Sequence, residues 1–479
     1  MQELERQRHL RLRNGCGGGG RCGHCRVTLL SGDWIVNGNP LSIPPGGRQE
    51  VLACRTRLVS RNAEVLVPSS CVLEQRTCSL DDWSGRPLPV AEGVRVGIDL
   101  GTTTVVAVAV RNAQVQARAS AFNAQRRFGD DVVTRIAFAG TPGGLEKLRL
   151  AVVDTLNLLL EQLGVAQASA IAISANATMA LLLHGIDPSP LGGHPFAMPV
   201  RNFPVRNGID LGLHCHGPVY TAPPAAAYLG GDIVAGLPEV VLEPGEMFVD
   251  LGTNCEMVLH TGRELLCGAA AAGPAFEGAG LSCACTAQPG AVEHVLPGLR
   301  FTRMPGGTAA PVGLCGSALV DLLAVLKNSR VLDEYGHFRP PQERLSLWSG
   351  KEISARDIEE LLKAKAAVFS GIQALSQMAR VAVKRIFLAG GFARWLDLAN
   401  AVDIGLLPSV PVECVGNTSL LGAARLACEP SRLAMMQDLA SHLHFLHFND
   451  LLDYQECFLR GLKLGSVASS IPTKYAHFP

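Results

Sequence analysis

Four cysteines near the start of the chain have the residue type and spacing that could bind iron. Cys16, Cys22 and Cys25 lie in one short loop and Cys54 follows later, which gives the pattern C-x5-C-x2-C-x28-C. Four thiolates placed in this way can ligate a [2Fe–2S] cluster. The loop also holds a run of glycines, which can adopt positive φ and bring backbone amides close to the cluster sulfurs. The spacing therefore predicts a [2Fe–2S] centre on these four residues.

Two other interpretations of the cysteine pattern stay open. A structural zinc site would normally show two C-x2-C pairs, whereas here five residues separate the first two cysteines and the fourth stands alone. Unliganded thiols are the second alternative. The other cysteines of the chain, including Cys283 and Cys285 in a C-x-C pattern, are predicted to be buried small thiols.

A second group of residues could bind phosphate. An apolar strand leads into Asp99, which is followed by Gly101, Thr102 and Thr103. A glycine in such a turn lets the backbone approach an anion, and the threonines offer hydroxyl and amide donors. The aspartate could hold Mg²⁺ through water or orient an attacking water molecule. We therefore predict a phosphate-binding hairpin with Asp99 in a catalytic role.

The same pattern returns once, 151 residues further along the chain. Asp250 is followed by Gly252, Thr253 and Asn254 after a second apolar strand. A turn that repeats at the spacing of a domain predicts two related α/β lobes that face each other across a shared cleft. Asp250 is accordingly predicted to be catalytic, and the Gly, Thr and Asn residues of both turns to bind the nucleotide.

A third segment completes the predicted nucleotide site. The apolar strand over 385–389 ends in Gly390 and Gly391, where the backbone could lie flat against a purine and ribose. A helix further upstream carries Lys365, which we expect to point to solvent rather than to the nucleotide. The chain has no Gly-Lys-Ser/Thr motif of a P-loop enzyme, no Ser-His-Asp arrangement and no H-E-x-x-H motif. The missing Gly-Lys-Ser/Thr motif excludes a P-loop enzyme.

Composition restricts the possible partners and the location. Lysine and arginine together number 42, as do aspartate and glutamate, so no net charge attracts nucleic acid or an anionic membrane, and we predict neither as a partner. No apolar segment typical of a secretion signal follows the first residues. The 15 cysteines are therefore expected to be thiols or metal ligands in the reducing cytoplasm.

Length and pattern divide the chain into several parts. With 479 residues, 51 of them glycine and 29 proline, the sequence is typical of a turn-rich α/β protein of two or three domains. A C-terminal amphipathic helix is predicted near 433–445. The predicted parts are a ferredoxin-like domain over 1–70, a linker over 71–93, the two lobes over 94–245 and 246–429, and a helical extension and tail over 430–479.

The first part carries two further expectations. Short alternating strands are predicted over 26–30 and 63–67, and only fifteen residues precede Cys16, too few for the hairpin and helix that ferredoxins place there. We therefore expect either a truncated domain or a start site assigned too late. Ten arginines stand against four acidic residues up to Arg61, and this excess predicts an acidic electron-transfer partner.

These motifs together resemble a known family. The paired aspartate turns and the strand that ends in Gly-Gly resemble the superfamily of actin, sugar kinases and heat-shock chaperone ATPases (ASKHA). A [2Fe–2S] module ahead of that core resembles the reductive activators of corrinoid proteins and their ferredoxin-ATPase relatives. The implied fold is a β-grasp ferredoxin-like domain followed by a two-lobed ATPase core. Further strings carry the resemblance: 123–125, 129–132, 230–233, 271–279, 364–367 and 415–423.

The resemblance implies an activity and a set of cofactors. It implies ATP and Mg²⁺ in the cleft, and electron transfer from the [2Fe–2S] cluster to a Co(II) corrinoid protein, giving the Co(I) form that methyltransferases need. A low-potential electron donor is implied as a second partner, and a homodimer is left open. The alternatives are a redox-linked ATP-binding protein of unknown partner, an activator of another low-potential metalloenzyme, and a small-molecule kinase, to which a ferredoxin would be an odd addition.

Overall fold

The structure is a computed structural model, and the part of the chain that it describes has several gaps. Cys16, Cys22, most of the predicted linker and the predicted polar tail lie outside the described residues. The described residues are 20, 25–60, 62–67, 86–278, 280–306, 310–340, 343–348, 350–391, 393–451 and 453–465.

A small five-stranded sheet forms around one long strand near the N-terminus. The long strand pairs antiparallel with each of the other four. Val27 and Leu29 alternate with less buried neighbours, as expected for a strand with one face on a core, and Trp34 is also buried beyond an irregularity in the pairing between Leu29 and Ser31. Both strands predicted here are confirmed. The strands are β1 (Arg26–Val36), β2 (Asn39–Ile43), β3 (Gln49–Leu52), β4 (Thr56–Leu58) and β5 (Glu64–Leu66).

The first lobe contains a six-stranded mixed sheet in the order β10-β11-β9-β6-β7-β8. β6, β7 and β8 form an antiparallel meander, while β9 runs parallel to β6 and β11 parallel to β9. β9 is buried along its whole length, which is typical of a central strand covered on both faces. The strands are β6 (Arg95–Leu100), β7 (Thr104–Arg111), β8 (Gln114–Phe122), β9 (Ala170–Ala175), β10 (Arg206–Asn207) and β11 (Pro218–Thr221).

Four α-helices accompany this sheet. Asp131 caps the first by accepting a hydrogen bond from the amide of Thr134, and Asn176 caps the third through the amide of Met179. The second presents an apolar face that includes Leu148, which is fully buried in the lobe core. The helices are α1 (Val132–Ala139), α2 (Gly144–Gln162), α3 (Ala177–Leu183) and α4 (Gly231–Gly236).

The second lobe repeats this topology. Its sheet has the order β20-β19-β12-β13-β14-β21, in which β12, β13 and β14 form the meander and β19 and β20 follow in parallel. The predicted internal repeat is thus a repeat of whole sheets. The strands, with two separate hairpins β15–β16 and β17–β18, are β12 (Glu246–Leu251), β13 (Cys255–His260), β14 (Leu265–Ala270), β15 (Val292–Leu296), β16 (Arg300–Arg303), β17 (Arg344–Trp348), β18 (Lys351–Ser354), β19 (Arg385–Ala389), β20 (Val412–Gly416) and β21 (Leu443–Leu446).

One helix of the second half of the chain crosses to the first lobe. α8 packs Leu420, Leu421 and Ala424 against Val106 and Val108 of β7. The chain therefore joins the lobes twice, once between β11 and β12 and once through this helix. The helices of this half are α5 (Gly316–Asn328), α6 (Ala355–Ala379), α7 (Leu398–Asp403), α8 (Thr418–Cys428), α9 (Arg432–His442) and α10 (Tyr454–Gly461).

Two expectations from the sequence are wrong in detail. The helix predicted near 433–445 ends at His442, and the next residues form β21, which pairs parallel with the edge strand β14. Lys365 does not point to solvent. It is fully buried, and its ammonium group donates a hydrogen bond of 2.7 Å to the carbonyl of Lys463 behind α10. Both differences arise from contacts with the C-terminal segment, which local sequence patterns do not show.

The end of the predicted linker belongs to the packed core. Leu88 is buried beside α8, and the guanidinium of Arg86 donates a hydrogen bond to the carbonyl of Glu239. The carbonyl of Pro87 accepts a hydrogen bond of 3.2 Å from Arg425. Residues 86–88 therefore attach the segment before β6 to the two-lobed core. Across the described ranges, no helix combines the length and apolar character that a membrane span requires.

Candidate functional site

A cleft of about 490 Å³ lies between the two sheets. The structure brings every residue predicted to act on the nucleotide to the wall of this one cleft. The wall also contains Asn176, Asp232, Glu256, Glu277 and Asn417, which were not predicted as site residues. The predicted residues on it are Asp99, Gly101, Thr102, Thr103, Asp250, Gly252, Thr253, Asn254, Gly390 and Gly391.

The first turn is held by its carbonyl groups. The carbonyl of Gly101 accepts a hydrogen bond of 2.9 Å from the side-chain amide of Asn123, and the carbonyl of Thr102 accepts one of 2.7 Å from Arg135. The carbonyl of Thr103 accepts the backbone amide of Asn123 at 2.9 Å. Arg135 is fully buried, and burial lowers its pKa to about 9. These bonds fix the turn from the side of the lobe core.

The second turn depends on glycine at a point of close approach. Gly390 has φ +102°, and a Cβ atom there would lie 2.7 Å from the carbonyl oxygen of Leu251 and 2.9 Å from Oδ1 of Asp250. Only glycine can adopt this positive φ and also avoid these close contacts without displacing the turn. The carbonyl of Thr253 accepts a hydrogen bond of 2.9 Å from Gly273. The predicted third segment therefore supports the second aspartate turn directly.

Asp99 lies in a network that reaches it from the end of the second sheet. Its Oδ2 accepts a hydrogen bond of 2.8 Å from the amide of Asn417, and its Oδ1 accepts one of 2.8 Å from the hydroxyl of Ser419. Ser174 extends the network, with 2.7 Å between its hydroxyl and that of Ser419. Burial raises the pKa of Asp99, while the bonds from Asn417 and Ser419 act in the opposite direction. The carboxylate thus has a fixed orientation at the start of the first turn.

Further carboxylates make the cleft strongly acidic. Burial and the neighbouring Asp99 raise the pKa of Asp232 to about 7. Burial, together with the charges of Asp232 and Asp250, raises the pKa of Glu256 well above its usual range. A desolvated group of carboxylates favours any ligand that brings positive charge, because each charge opposes ionisation of the others. The cleft is therefore suited to a divalent cation.

Sequence reasoning missed Glu256 because the two turns differ by one residue. Leu100 pairs with Val105 across the first turn, whereas Leu251 pairs with Cys255 across the second, shorter turn. As a result Asp250 lies opposite Glu256, while Asp99 lies opposite a valine. Asp232 and Glu277 lie in the segments 230–233 and 271–279, which resemble the family. That resemblance could have identified both as site residues.

The arrangement of carboxylates fits Mg²⁺ held largely by water and phosphate. Within the described residues, no three His, Cys, Asp or Glu side chains converge closely enough to bind a metal directly. Mg²⁺ usually keeps several waters and is bound by one or two carboxylates plus substrate phosphates. Asp99, Asp232 and Asp250 line the same cleft as the phosphate turns and could hold its hydration shell. The donor set therefore fits a Mg²⁺–nucleotide complex.

Two of the four predicted cluster ligands lie in the described part, and the fold brings them together. The residues that follow Cys25 pair antiparallel with those before Cys54, with Arg26 opposite Leu52. The carbonyl of Cys25 accepts a hydrogen bond of 2.8 Å from the amide of Ala53. Two cysteines 29 positions apart in sequence are thus placed at the same end of the small sheet, as a shared ligand set requires. Their placement fits a [2Fe–2S] cluster.

Fold and site together define a ferredoxin module attached to a two-lobed ATPase core of the ASKHA class. Three family profiles match in the same order. One, described as a 2Fe-2S iron-sulfur cluster binding domain, matches residues 1–59. The second, the RACo middle region, matches 94–243, and the third, the C-terminal (ASKHA) domain of RACo, matches 245–473. The chain belongs to the family of RACo and related reductive activators of corrinoid proteins, with [2Fe–2S], ATP and Mg²⁺ as its cofactors.

Individual relatives agree with this assignment. The chain is 30% identical over 377 residues to the corrinoid activation enzyme RamQ of Eubacterium limosum, an alignment that covers 68% of this chain and 63% of RamQ. It is 28% identical over 254 residues to the [Co(II) methylated amine-specific corrinoid protein] reductase of Methanosarcina barkeri, which covers 46% of each protein. The alignments thus span less than two thirds of RamQ and less than half of the reductase.

A solved structure matches over nearly the whole chain. It is titled reductive activator for corrinoid, iron-sulfur protein, and it is 28% identical with a TM-score of 0.70. The match covers 97% of this chain and 95% of that one. The predicted fold class is therefore confirmed for the ferredoxin module and the ATPase core together.

Proposed function

We propose that this protein is an ATP-dependent reductive activator that passes one electron to the cobalt of a corrinoid protein. Cobalt goes from Co(II) to Co(I), and an external low-potential donor resupplies the electron. The observation that carries the proposal is the match, over nearly the whole chain, to a solved reductive activator at 28% identity. The cofactors that the family assigns supply both the electron carrier and the nucleotide that this reaction needs.

The four cysteines ligate the electron carrier. When bound, a [2Fe–2S] cluster supplies a one-electron reductant. We assign its ligation to Cys16, Cys22, Cys25 and Cys54. The buried thiol of Cys25 and the partly exposed Cys54 would hold it where the small sheet ends, close to the protein surface.

The cleft residues bind and position the nucleotide. Gly101, Thr102 and Thr103 would surround one phosphate from the first lobe, while Gly252, Thr253 and Asn254 would do so from the second. Asp99 and Asp250 orient the attacking water and the hydration shell of the cation. Gly390 and Gly391 leave room for the purine and ribose beside the second turn. These assignments are supported by the common position of all ten residues on one cleft wall.

ATP is needed because the electron transfer is uphill. Plant-type clusters have reduction potentials of about −400 mV. Reduction of a centre at lower potential costs about 1.4 kcal/mol for every 59 mV of difference. Lobe closure around the nucleotide can lower this cost if the closed form binds the corrinoid protein differently and alters the surroundings of the cobalt. The cleft between the two sheets is the place where such a closure would act.

The proposal is tested by following cobalt reduction in a visible absorption assay. Purified protein with reconstituted cluster is mixed anaerobically with a Co(II) corrinoid protein and a chemical reductant, with and without ATP and Mg²⁺. We expect formation of Co(I) only with ATP, and ATP hydrolysis that increases when the corrinoid protein is present. ATP-independent cobalt reduction, or hydrolysis unaffected by every corrinoid protein tried, would contradict it. The cytoplasmic location and the acidic character of the partner remain predictions from the sequence.

A further inference from the structure

One carboxylate joins the phosphate turns of the two lobes. Oε2 of Glu277 accepts a hydrogen bond of 3.3 Å from the hydroxyl of Thr103 in the first turn, and another of 2.5 Å from the hydroxyl of Thr253 in the second. Thr103 and Thr253 lie in turns of different sheets, 150 residues apart in sequence. A single oxygen atom therefore links the two halves of the nucleotide cleft.

The backbone holds Glu277 rigidly at this point. It ends a short 3-10 turn over Ala275–Glu277, and Gly278 follows with φ +80°. A Cβ atom on Gly278 would lie 1.9 Å from the carbonyl oxygen of Cys285, so only glycine fits there. The carboxylate is desolvated, and burial raises its pKa, while the bonds from Thr253 and Thr103 lower it. Glu277 is partly buried and its carboxylate accepts hydrogen bonds from two hydroxyl groups, so it makes a defined contact rather than a loose surface one.

We propose that Glu277 is a latch between the two phosphate turns, and that the polyphosphate of ATP displaces it. The inference rests on the proposed binding of ATP in this cleft. A phosphate oxygen bound between the turns would take the hydroxyls of Thr103 and Thr253, because phosphate is a strong acceptor and both hydroxyls belong to residues that line the cleft. It would also repel the carboxylate. Glu277 is thus a positioning residue that makes the separation of the turns depend on the nucleotide.

The displaced carboxylate would have a cation to move toward, Arg126, whose guanidinium lies over the ring of the cleft residue Phe122. The positive charge of Arg126 already acts on Glu277 and favours its ionised form. The side chain of Arg126 is almost fully buried, lies over the ring of Phe122 and contacts Asp130. A short movement toward Arg126 would keep Glu277 compensated while the threonines bind phosphate. The latch then has two defined positions, one without ATP and one with it.

Nucleotide affinity tests the latch, with Glu277→Gln as the main variant. The amide keeps the size of the side chain but removes its charge, so that the bonds to the threonines weaken and the repulsion of phosphate disappears. We expect the dissociation constant for Mg²⁺–ATP to fall about tenfold, measured by isothermal titration calorimetry. AMP, which lacks the outer phosphates, is expected to bind with the same affinity as before. Glu243→Gln is the matched control, because Glu243 is an exposed carboxylate before β12 that does not line the cleft, and this variant should leave both affinities unchanged.

Hydrogen–deuterium exchange gives a second readout that does not depend on affinity. In the nucleotide-free protein, Glu277→Ala should increase exchange in both turns, 100–105 and 251–256, at the same time. If that variant does not fold, Glu277→Asp serves instead, because the shorter carboxylate cannot reach both hydroxyls. Adding ATP should bring the turns of wild type and variants to similar protection.

The outcomes separate the latch from the proposed function. Tighter ATP binding by Glu277→Gln, with AMP binding unchanged, supports the latch. Weaker ATP binding would show instead that Glu277 holds the cation or water, and an affinity within twofold of wild type would show that it does not contact the phosphate. Either result overturns the latch. If the wild-type protein itself binds no ATP, the proposed function fails first.

Discussion

Asn417 donates its side-chain amide to Oδ2 of Asp99 at 2.8 Å, although 318 residues separate them in the sequence. Asn417 also caps α8, because its Oδ1 accepts the amide of Leu420. The helix that starts there packs on the first sheet, while the strand before it belongs to the second sheet. The carboxylate that we assign to catalysis is therefore oriented by the chain segment that connects the two lobes. Movement of one lobe relative to the other should therefore change the position or the hydrogen bonds of the Asp99 carboxylate.

Replacing Asp99 by asparagine tests its catalytic role. The variant Asp99→Asn keeps the size of the side chain and can still accept one of its two hydrogen bonds, but it cannot act as a charged acceptor for water or for the hydration shell of Mg²⁺. Loss of such a group typically lowers turnover by about 100-fold or more. We expect this decrease in kcat for ATP hydrolysis, measured at saturating ATP, with ATP affinity changed by less than about threefold.

A matched control for Asp99 is the exposed Asp438, which lies on α9 away from the cleft. Asp438→Asn removes the same charge, and its turnover should equal that of wild type. Both variants should unfold at a thermal midpoint close to that of wild type, which shows that they are folded. If Asp99→Asn retains at least half of the wild-type turnover, Asp99 does not participate in hydrolysis, and the catalytic role passes to another carboxylate of the cleft.

The sequence predicted the parts of the site that depend on short-range pattern. A strand followed by Asp-x-Gly-Thr can be recognised from a short stretch of sequence. Its repetition predicted that Asp99 and Asp250 share one cleft. The sequence did not predict the groups that reach the site from elsewhere. Asn417 and Glu277 act on these turns only because two sheets and a crossing helix bring distant segments together.

The errors in the fold have the same physical origin. Lys365 stands on a helix with a clear apolar face, and pattern alone assigns a lysine to solvent. Its burial depends on α10, which packs along α6 and places the carbonyl of Lys463 over it. In the same way, Leu443–Leu446 leaves the helical pattern because the edge of β14 offers unpaired backbone groups. Tertiary pairing decides both cases.

The cysteine ligands can be tested individually by spectroscopy. Cys54→Ser and Cys25→Ser each remove one soft thiolate, so that a [2Fe–2S] cluster can no longer bind in its normal form. We expect each variant to lose most of its visible absorption after reconstitution and to change or lose the EPR signal of the reduced state. Cys414→Ser is the control, because Cys414 is an exposed cysteine on β20 in the ATPase core. A spectrum of Cys54→Ser identical to wild type would remove Cys54 from the ligand set.

Surface charge on the ferredoxin module is expected to control partner binding. Arg48 and Arg57 are exposed on the described part of this domain, and the sequence analysis predicts an acidic partner. Reversal of one charge in Arg57→Glu should raise KM for the corrinoid protein severalfold at low salt, because complementary charges mainly increase the rate of encounter. The effect should shrink as salt is added.

Arg263→Glu provides the comparison for this surface. Arg263 is exposed on the hairpin between β13 and β14 of the second lobe, and the variant changes the total charge by the same amount. It should leave KM close to that of wild type. Equal effects of both substitutions would show that total charge, rather than the surface of the ferredoxin module, attracts the partner. A rate of cobalt reduction that is insensitive to ionic strength would also contradict the prediction.

Buried Lys365 should make stability depend on pH. Burial, and to a smaller extent the charge of Lys327, lower its pKa from 10.5 to about 7 in the folded protein. Folding therefore favours the neutral amine. Its contribution to stability is fully present above the unfolded pKa of 10.5 and is lost as the pH falls toward 7. We expect the free energy of unfolding to rise between pH 7 and pH 10, relative to a variant that lacks the amine.

Lys365→Met supplies that variant, because methionine fills similar space without a charge. Urea unfolding at pH 7.0, 8.5 and 10.0 should show that the difference in unfolding free energy between wild type and Lys365→Met shifts in favour of wild type as the pH rises. Lys363→Met is the control on the same helix, since Lys363 is exposed and pairs with Glu359. The difference in unfolding free energy between wild type and Lys363→Met should not shift in favour of wild type as the pH rises. If the Lys365→Met difference is constant with pH, the buried amine does not titrate in this range, and Lys365 remains charged within the fold.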